Sequence, residues 1–147
     1  MYRFGSTSIK KLSTCREEIQ QVMKLAIQRS PIDFGISKGH RSVEEQQELY
    51  SQGRTKPGHI ITYVDGVNKK SEHNKKPSNA VDIYGWVNRQ ATWDKDHLIL
   101  IAGVILSCAD ELGIIFRWGG NWDGDGEIIS DQNFMDLPHF EFEGYKR

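Results

Sequence analysis

Apolar residues at three- and four-residue steps open the chain: Ile9, Leu12, Ile19, Val22, Met23, Ala26 and Ile27 recur with the period of an amphipathic helix. The spacing predicts one helix, or two broken near Ser13, over residues 8–29, stopped by Pro31. Residues 33–37 read as a short strand, and Ser42 with Glu45 forms a capping box that opens a second helix through Leu49 and Tyr50 to Gly53. Residues 54–76 are polar and turn-rich. Within them Ile60, Ile61, Thr62, Tyr63 and Val64 precede Asp65-Gly66, with Val67 after it, which predicts a loop followed by a small hairpin. A short apolar strand follows at residues 80–84, then a polar connection to Trp93. Asp94 or Asp96 caps a third helix whose run over residues 98–106 is apolar all round, the mark of the central, most buried helix. Leu112-Gly113 ends it, residues 114–118 form the next strand, and residues 139–142 alternate as a terminal strand. Helices lead and short strands dominate the second half. The expected class is α+β, a small antiparallel sheet packed against helices, with residues 1–147 as one domain.

A chain of 147 residues can bury roughly two thirds of its unfolded surface around one core. Its 19 basic and 20 acidic residues leave a formal charge of −1, so no global field recruits nucleic acid or an acidic membrane. The four lysines at 69, 70, 75 and 76 lack interleaved aromatics on which bases would stack, and read as a solvated loop. The N-terminus carries no continuous apolar h-region, and the longest uncharged apolar stretch, residues 98–109, falls short of the roughly 20 residues that span a bilayer. Synthesis in the cytoplasm without a signal peptide, and a monomer, are the expectations. Cys15 and Cys108 both lie in helical patterns and suit buried free thiols.

The candidate chemistry begins at Asp82, an acid inside the apolar run Ala80-Val81-Asp82-Ile83-Tyr84. Burying a carboxylate costs several kcal/mol unless it is paired or bound to a metal, so Asp82 requires either an ion-pair partner or an ion shared with His73. His139 opens the terminal strand, whose alternation sets His139, Glu141 and Glu143 on one face and Phe140 and Phe142 on the other. Two imidazoles and one carboxylate make a three-ligand set that leaves the fourth tetrahedral position of zinc open for water. Asp136, three residues before His139, stands outside that set and suits a proton acceptor. Arg41 follows a strand end and precedes a capped helix, a place that either faces solvent or mounts a side chain toward a cleft. His59 and His97 read as structural or solvated. Trp118 and Trp122 flank Gly119 and Gly120, which let the backbone approach a cleft, and are candidate substrate contacts. Asn121, Asp123, Asp125 and Gly126 occupy the first, third, fifth and sixth positions of a calcium loop, with Glu127 next and Ile128 at the eighth. The twelfth position is Gln132 rather than a bidentate glutamate, with Asp131 as a substitute, so this stretch reads either as a calcium site or as an acidic exposed turn.

The pattern Ser71-x-His73, Ala80-x-Asp82 and Asp136-x-x-His139 resembles the zinc peptidases of the D-alanyl-D-alanine carboxypeptidase, VanY-like superfamily, and within it the phage endolysins that are L-alanyl-D-glutamate endopeptidases. Gly39-His40-Arg41-Ser42 is similar to the family's arginine-bearing turn, and Arg117-Trp118-Gly119-Gly120-Asn121-Trp122 to its Arg-Trp-Gly-Gly-Asp-Trp signature. The resemblance implies a hedgehog/D-Ala-D-Ala-peptidase-like fold, zinc on His73, Asp82 and His139, Asp136 as general base, Arg41 on the substrate or its oxyanion, and Ser71 lining the site. The substrate it implies is the peptidoglycan stem peptide, reached after the host membrane is breached. A D,D-carboxypeptidase of the same superfamily and a non-catalytic wall- or calcium-binding module are the alternatives. Three departures stand out: the stretch from His73 to Ala80 is longer than the family's, reshaping the loop over the metal; Asp136 in Asp-Leu-Pro-His stands where many carboxypeptidase members have a glutamate beside a tryptophan, which favours the endopeptidase branch; and Asn121 replaces an aspartate of the signature.

Overall fold

The computed structural model describes residues 1–127 and 135–147. Helices α1 (Ser6–Leu12) and α2 (Glu17–Arg29) form, with the break at Ser13 to Arg16 that the periodicity predicts. Strand β1 (Asp33–Lys38) leads to helix α3 (Val43–Ser51), whose N-cap Ser42 accepts the Glu45 amide in a complete capping box. Strands β2 (Ala80–Val87) and β3 (Gln90–Thr92), helix α4 (Lys95–Glu111), strand β4 (Ile114–Gly119) and strand β5 (Asp136–Tyr145) follow. The five strands form one antiparallel sheet in the order β1-β2-β5-β4, with β3 hydrogen-bonded to the outer end of β2.

One face of this sheet makes the core. Val81, Ile83, Phe34, Ile36 and Phe140 pack on Ile19, Val22, Met23 and Ala26 of α2 and on Ile101, Ala102 and Ile105 of α4, all buried. The opposite face carries the alternate residues Asp82, Tyr84 and Trp86 of β2 and is more open. Both cysteines are buried and free, and burial pushes the Cys15 thiol up to about 12. No helix among the described residues is long and apolar enough to cross a membrane.

Three expectations need correction. Helix α4 is apolar on all sides but buried on one, with Leu100 47% exposed, because only its inner face meets the sheet and α2. Strand β3 was hidden in a polar connection: a left-handed turn at Asn88 and Arg89 folds Gln90–Thr92 back onto β2, where the sequence suggests only a link to Trp93. The hairpin expected around Asp65-Gly66 is absent. Asp65 Oδ1 there accepts the amides of Val67, Asn68 and Lys69, and the Val64 carbonyl is taken by the Gln46 side chain. Side chains thus satisfy the backbone groups that a partner strand would otherwise need to meet.

Candidate metal centre

The register of β2 against β5 sets Asp82 directly opposite His139 on the open face of the sheet. His73 reaches the same point from a single 3-10 turn, Glu72–Asn74, capped by Ser71, whose Oγ accepts the His73 amide at 3.2 Å. Backbone bonds lock that turn against the segment between β1 and α3: the Arg41 amide donates to the His73 carbonyl at 2.8 Å. The His73 ring Nδ1–H donates to the Gly39 carbonyl at 2.7 Å, which leaves the Nε2 lone pair facing Asp82. His139 is held in the opposite sense. Its Nε2–H donates to Glu141 Oε1 at 2.9 Å, which turns Nδ1 inward.

Three ligand atoms therefore converge. Asp82 Oδ1 lies 3.2 Å from His73 Nε2 and 3.0 Å from His139 Nδ1, and the two nitrogens are 3.2 Å apart. A tetrahedral zinc with bonds near 2.0 Å has ligand–ligand edges of about 3.3 Å, so the triangle is the size that such an ion needs. Each imidazole also has its outer nitrogen engaged, by a carbonyl for His73 and a carboxylate for His139, the arrangement that orients metal-binding histidines. The donor set and its surroundings fit zinc. Among the described residues this is the one group of three or more such side chains close enough to share an ion.

Charge at the centre points the same way. Burial opposes ionisation of Asp82, but His73 and His139 outweigh it and hold its carboxyl below the usual range. Burial likewise opposes the His139 imidazolium, yet Asp82 and Glu141 push it up to about 10. Asp82, Asp136 and Glu141 together favour positive charge at the point where the ligand atoms meet. Burial raises the Asp136 carboxyl, with the Asp82 charge adding to the effect, which moves it toward the range of a working base.

These residues lie at the floor of a cleft of about 760 Å³ lined also by Arg41, Ser71, Trp122 and Arg117. Asp136 Oδ2 stands 3.8 Å from His139 Nδ1, beside the ligands. Arg41 reaches in from the α3 side, Nη2 3.7 Å from Asp82 Oδ2. Trp122 leans on the His139 ring, with centroids 5.6 Å apart. Trp118 does not join them. It is buried in the core, its indole N–H donating to the Leu137 carbonyl and its ring stacked on Phe140, because its place in β4 faces inward. The close approach that glycine permits here is elsewhere: a Cβ on Gly119 would strike the Asp136 carbonyl, so Gly119 lets β4 run tight against the start of β5.

The long stretch between His73 and Ala80 does not line the cleft. The Ser78 amide donates to the Thr14 carbonyl and the Arg16 amide to the Ser78 carbonyl, so the added residues dock on the α1–α2 turn. In the acidic loop, Asp123, Asp125 and Glu127 are exposed; Asp123 Oδ1 accepts the Asp125 amide and Asp125 Oδ1 the Glu127 amide. Asn121 Oδ1 is buried and finds no hydrogen-bond partner among the described residues. Asp131 and Gln132 lie outside the described residues.

Two contributors were given no role at the site by the sequence reading. Gln46 is fully buried and joins the cleft walls: its Oε1 accepts from Arg41 Nη1 at 2.9 Å and its Nε2 donates to the Val64 carbonyl at 2.7 Å. A lone glutamine on a short helix gives no signal. Glu141 did leave one, since the alternation of β5 places it on the His139 face.

A family model described as phage L-alanyl-D-glutamate peptidase matches residues 1–143. The chain is 33% identical over 132 residues to the peptidoglycan L-alanyl-D-glutamate endopeptidase CwlK of Bacillus subtilis, covering 81% of this chain and 66% of that protein, so it spans just under two thirds of that relative's length. It is 28% identical over 127 residues to the L-alanyl-D-glutamate peptidase of Escherichia phage T5, covering 86% of this chain and 85% of the phage protein. The crystal structure of the Serratia marcescens L-Ala D-Glu endopeptidase ChiX superimposes with a TM-score of 0.72 at 25% identity, over 96% of this chain and 90% of that one.

Proposed function

Because the chain belongs to the phage L-alanyl-D-glutamate peptidase family, we infer that it hydrolyses the L-alanyl–D-glutamate bond of the peptidoglycan stem peptide, with zinc held by His73, Asp82 and His139. The observation that carries this reading is the convergence of two oriented imidazole nitrogens and one carboxylate oxygen at the floor of a cleft that also holds Asp136 and Arg41. When bound, zinc supplies Lewis acidity, polarising the peptide carbonyl and bringing the pKa of a water toward about 7.

The chain's own groups perform the proton transfers. Asp136 Oδ2 takes the proton of the attacking water, and its raised pKa makes it able to hold that proton until the bond breaks. It then delivers the proton to the departing amine of D-glutamate. Arg41, steadied by Gln46, turns its guanidinium toward the carbonyl oxygen and stabilises the charge that develops there. Ser71 acts by holding the turn that presents His73. Trp122 closes the cleft on the His139 side and shields the ligands from water. Release at the wall after breach of the host membrane fits a phage lysin.

Digestion of purified peptidoglycan followed by mass spectrometry of the fragments tests the reading. New N-terminal D-glutamate, lost on chelation and restored by zinc, is expected. Release of terminal D-alanine alone would instead make the protein a D,D-carboxypeptidase. The acidic loop enters the proposal as a calcium site on Asn121, Asp123, Asp125, Glu127 and Asp131, supported by the Asn121 oxygen that finds no partner among the described residues. Calorimetry with calcium on zinc-loaded protein should show heat, and a flat trace at millimolar calcium would remove that site.

A further inference from the structure

Arg117 projects from β4 onto the open face of the sheet, opposite Glu141 of β5 and diagonal to His139. It is an unusually fixed surface arginine. Its Nε donates to the Trp122 carbonyl at 3.0 Å and its guanidinium lies over the Trp122 ring, 4.8 Å from the centroid. One carboxylate faces it, Glu141, whose Oε2 is 3.8 Å from Nη1, while the other oxygen of that carboxylate is taken by His139. The guanidinium fork is therefore held in place at the cleft wall, 44% of the side chain exposed, and among the described residues its ion pair is the long one to Glu141.

The direction of the substrate follows from Asp136. A group that returns a proton to the leaving amine must stand beside that amine, so the residue after the scissile bond lies on the side of the centre where β5 meets β4. Arg117 stands on that side, one strand spacing of about 5 Å from β5, whereas Arg41 and Leu49 line the side toward α3. In a stem peptide that residue is D-glutamate linked onward through its γ-carboxyl. Its α-carboxylate is left free on the carbon that bears the scissile nitrogen. An anion is thus delivered within a few ångströms of a centre that already holds Asp82, Asp136 and Glu141, and needs a cation to meet it.

We propose that Arg117 forms a carboxylate-binding subsite that reads the free α-carboxylate of the D-glutamyl residue, selecting it over the α-carboxamide found where that position is amidated. The proposal rests on the peptidase reading above. A planar fork suits two carboxylate oxygens, and fixing it in advance on Trp122 lowers the ordering cost of the contact.

The test uses zinc-loaded protein and two synthetic peptides, N-acetyl-L-Ala-γ-D-Glu-L-Lys with a free α-carboxylate and the same peptide with an α-carboxamide. The readout is the ratio of kcat/KM on the acid to that on the amide. Charge-assisted hydrogen bonds of this kind support a ratio of about tenfold in favour of the acid, which Arg117→Gln should abolish and Arg117→Lys partly restore. Zinc content measured on each variant tracks any disturbance passed through Glu141 to His139. An unchanged ratio in Arg117→Gln overturns the proposal, as does a fall shared equally by both peptides. Failure of the unaltered protein to cut either peptide overturns the peptidase reading itself, and this subsite with it.

Discussion

The two walls of the cleft are built on different principles. The sheet wall presents Asp82, His139, Asp136 and Arg117 from strands whose backbones are locked by ladder hydrogen bonds, register by register. The loop wall presents Ile61, Thr62, Val64, Lys69 and Lys70 from irregular chain. A few side chains hold that second wall: Gln46 through Val64, Arg54 through the Thr62 carbonyl, and Asp65 through three amides of its own turn. On the proposed function, chemistry that tolerates little displacement would sit on the ladder, and contacts to the rest of the substrate would fall to the loop. His73 is the exception that joins them, a candidate metal ligand borne on a short turn and made rigid by Gly39, Arg41 and Ser71.

The largest effects should come from the sheet wall and should separate its two tasks. His73→Ala removes one of three ligands and leaves Asp82 short of a partner, so zinc content and turnover should both vanish. Asp136→Ala should keep zinc, because Asp136 stands outside the triangle, while lowering kcat at least about a hundredfold. Metal analysis beside peptide-cleavage rates distinguishes them. Zinc lost from Asp136→Ala would mean that this carboxylate is a ligand and that the division of labour is wrong.

Legibility in the sequence follows the same division. Strand pairing writes itself as alternation, which is why His139 and Phe140 could be assigned to opposite faces and Asp82 recognised as an acid demanding a partner. The convergence of residues 73, 82 and 139 is a matter of register, which no local pattern records. The spacing motif stands in for it only through the family resemblance. The loop wall left a misleading trace. Ile60 to Val67 has the composition of a hairpin, but the buried Gln46, fourteen residues before Ile60, and Asp65 take up its backbone groups. Trp118 failed for a related reason: the signature that contains it is shared by a core position and a cleft position, and only the pleat of β4 separates Trp118 from Arg117.

Gln46 is the sharpest probe of the loop wall. Gln46→Ala leaves the Val64 carbonyl and Arg41 each short of a partner in a half-buried place, a cost of about 2 kcal/mol. The melting temperature should fall by about 4–8 °C for a domain of this size. Activity should suffer through a mobile Arg41 and a loosened loop, with zinc content unchanged. A variant that melts normally and turns over normally would show that the loop wall is held by something other than this side chain.

The smallest effect concerns the support behind the sheet wall, where α2 meets β5. Glu18 accepts from Arg16 at 2.9 Å and from the Tyr145 hydroxyl, and Arg16 lies over the Phe142 ring at 3.7 Å, so the start of α2 is fastened to the strand that carries His139. The Arg16 and Tyr145 contacts lower the Glu18 carboxyl from 4.5 to about 2. A depressed carboxylate pKa means that the folded state releases this proton more readily than the unfolded chain. Its contribution is therefore complete above about pH 5 and disappears as the pH falls through 4.5 toward 2. The pair is partly solvated, which limits the contribution to about 1 kcal/mol. Glu18→Gln should melt a few degrees lower at pH 7, and the difference from the unaltered protein should close on acidification. A difference that persists at pH 2 would assign the effect to packing against Tyr145 rather than to charge. In that case the sheet wall would owe its rigidity to its ladder and core alone.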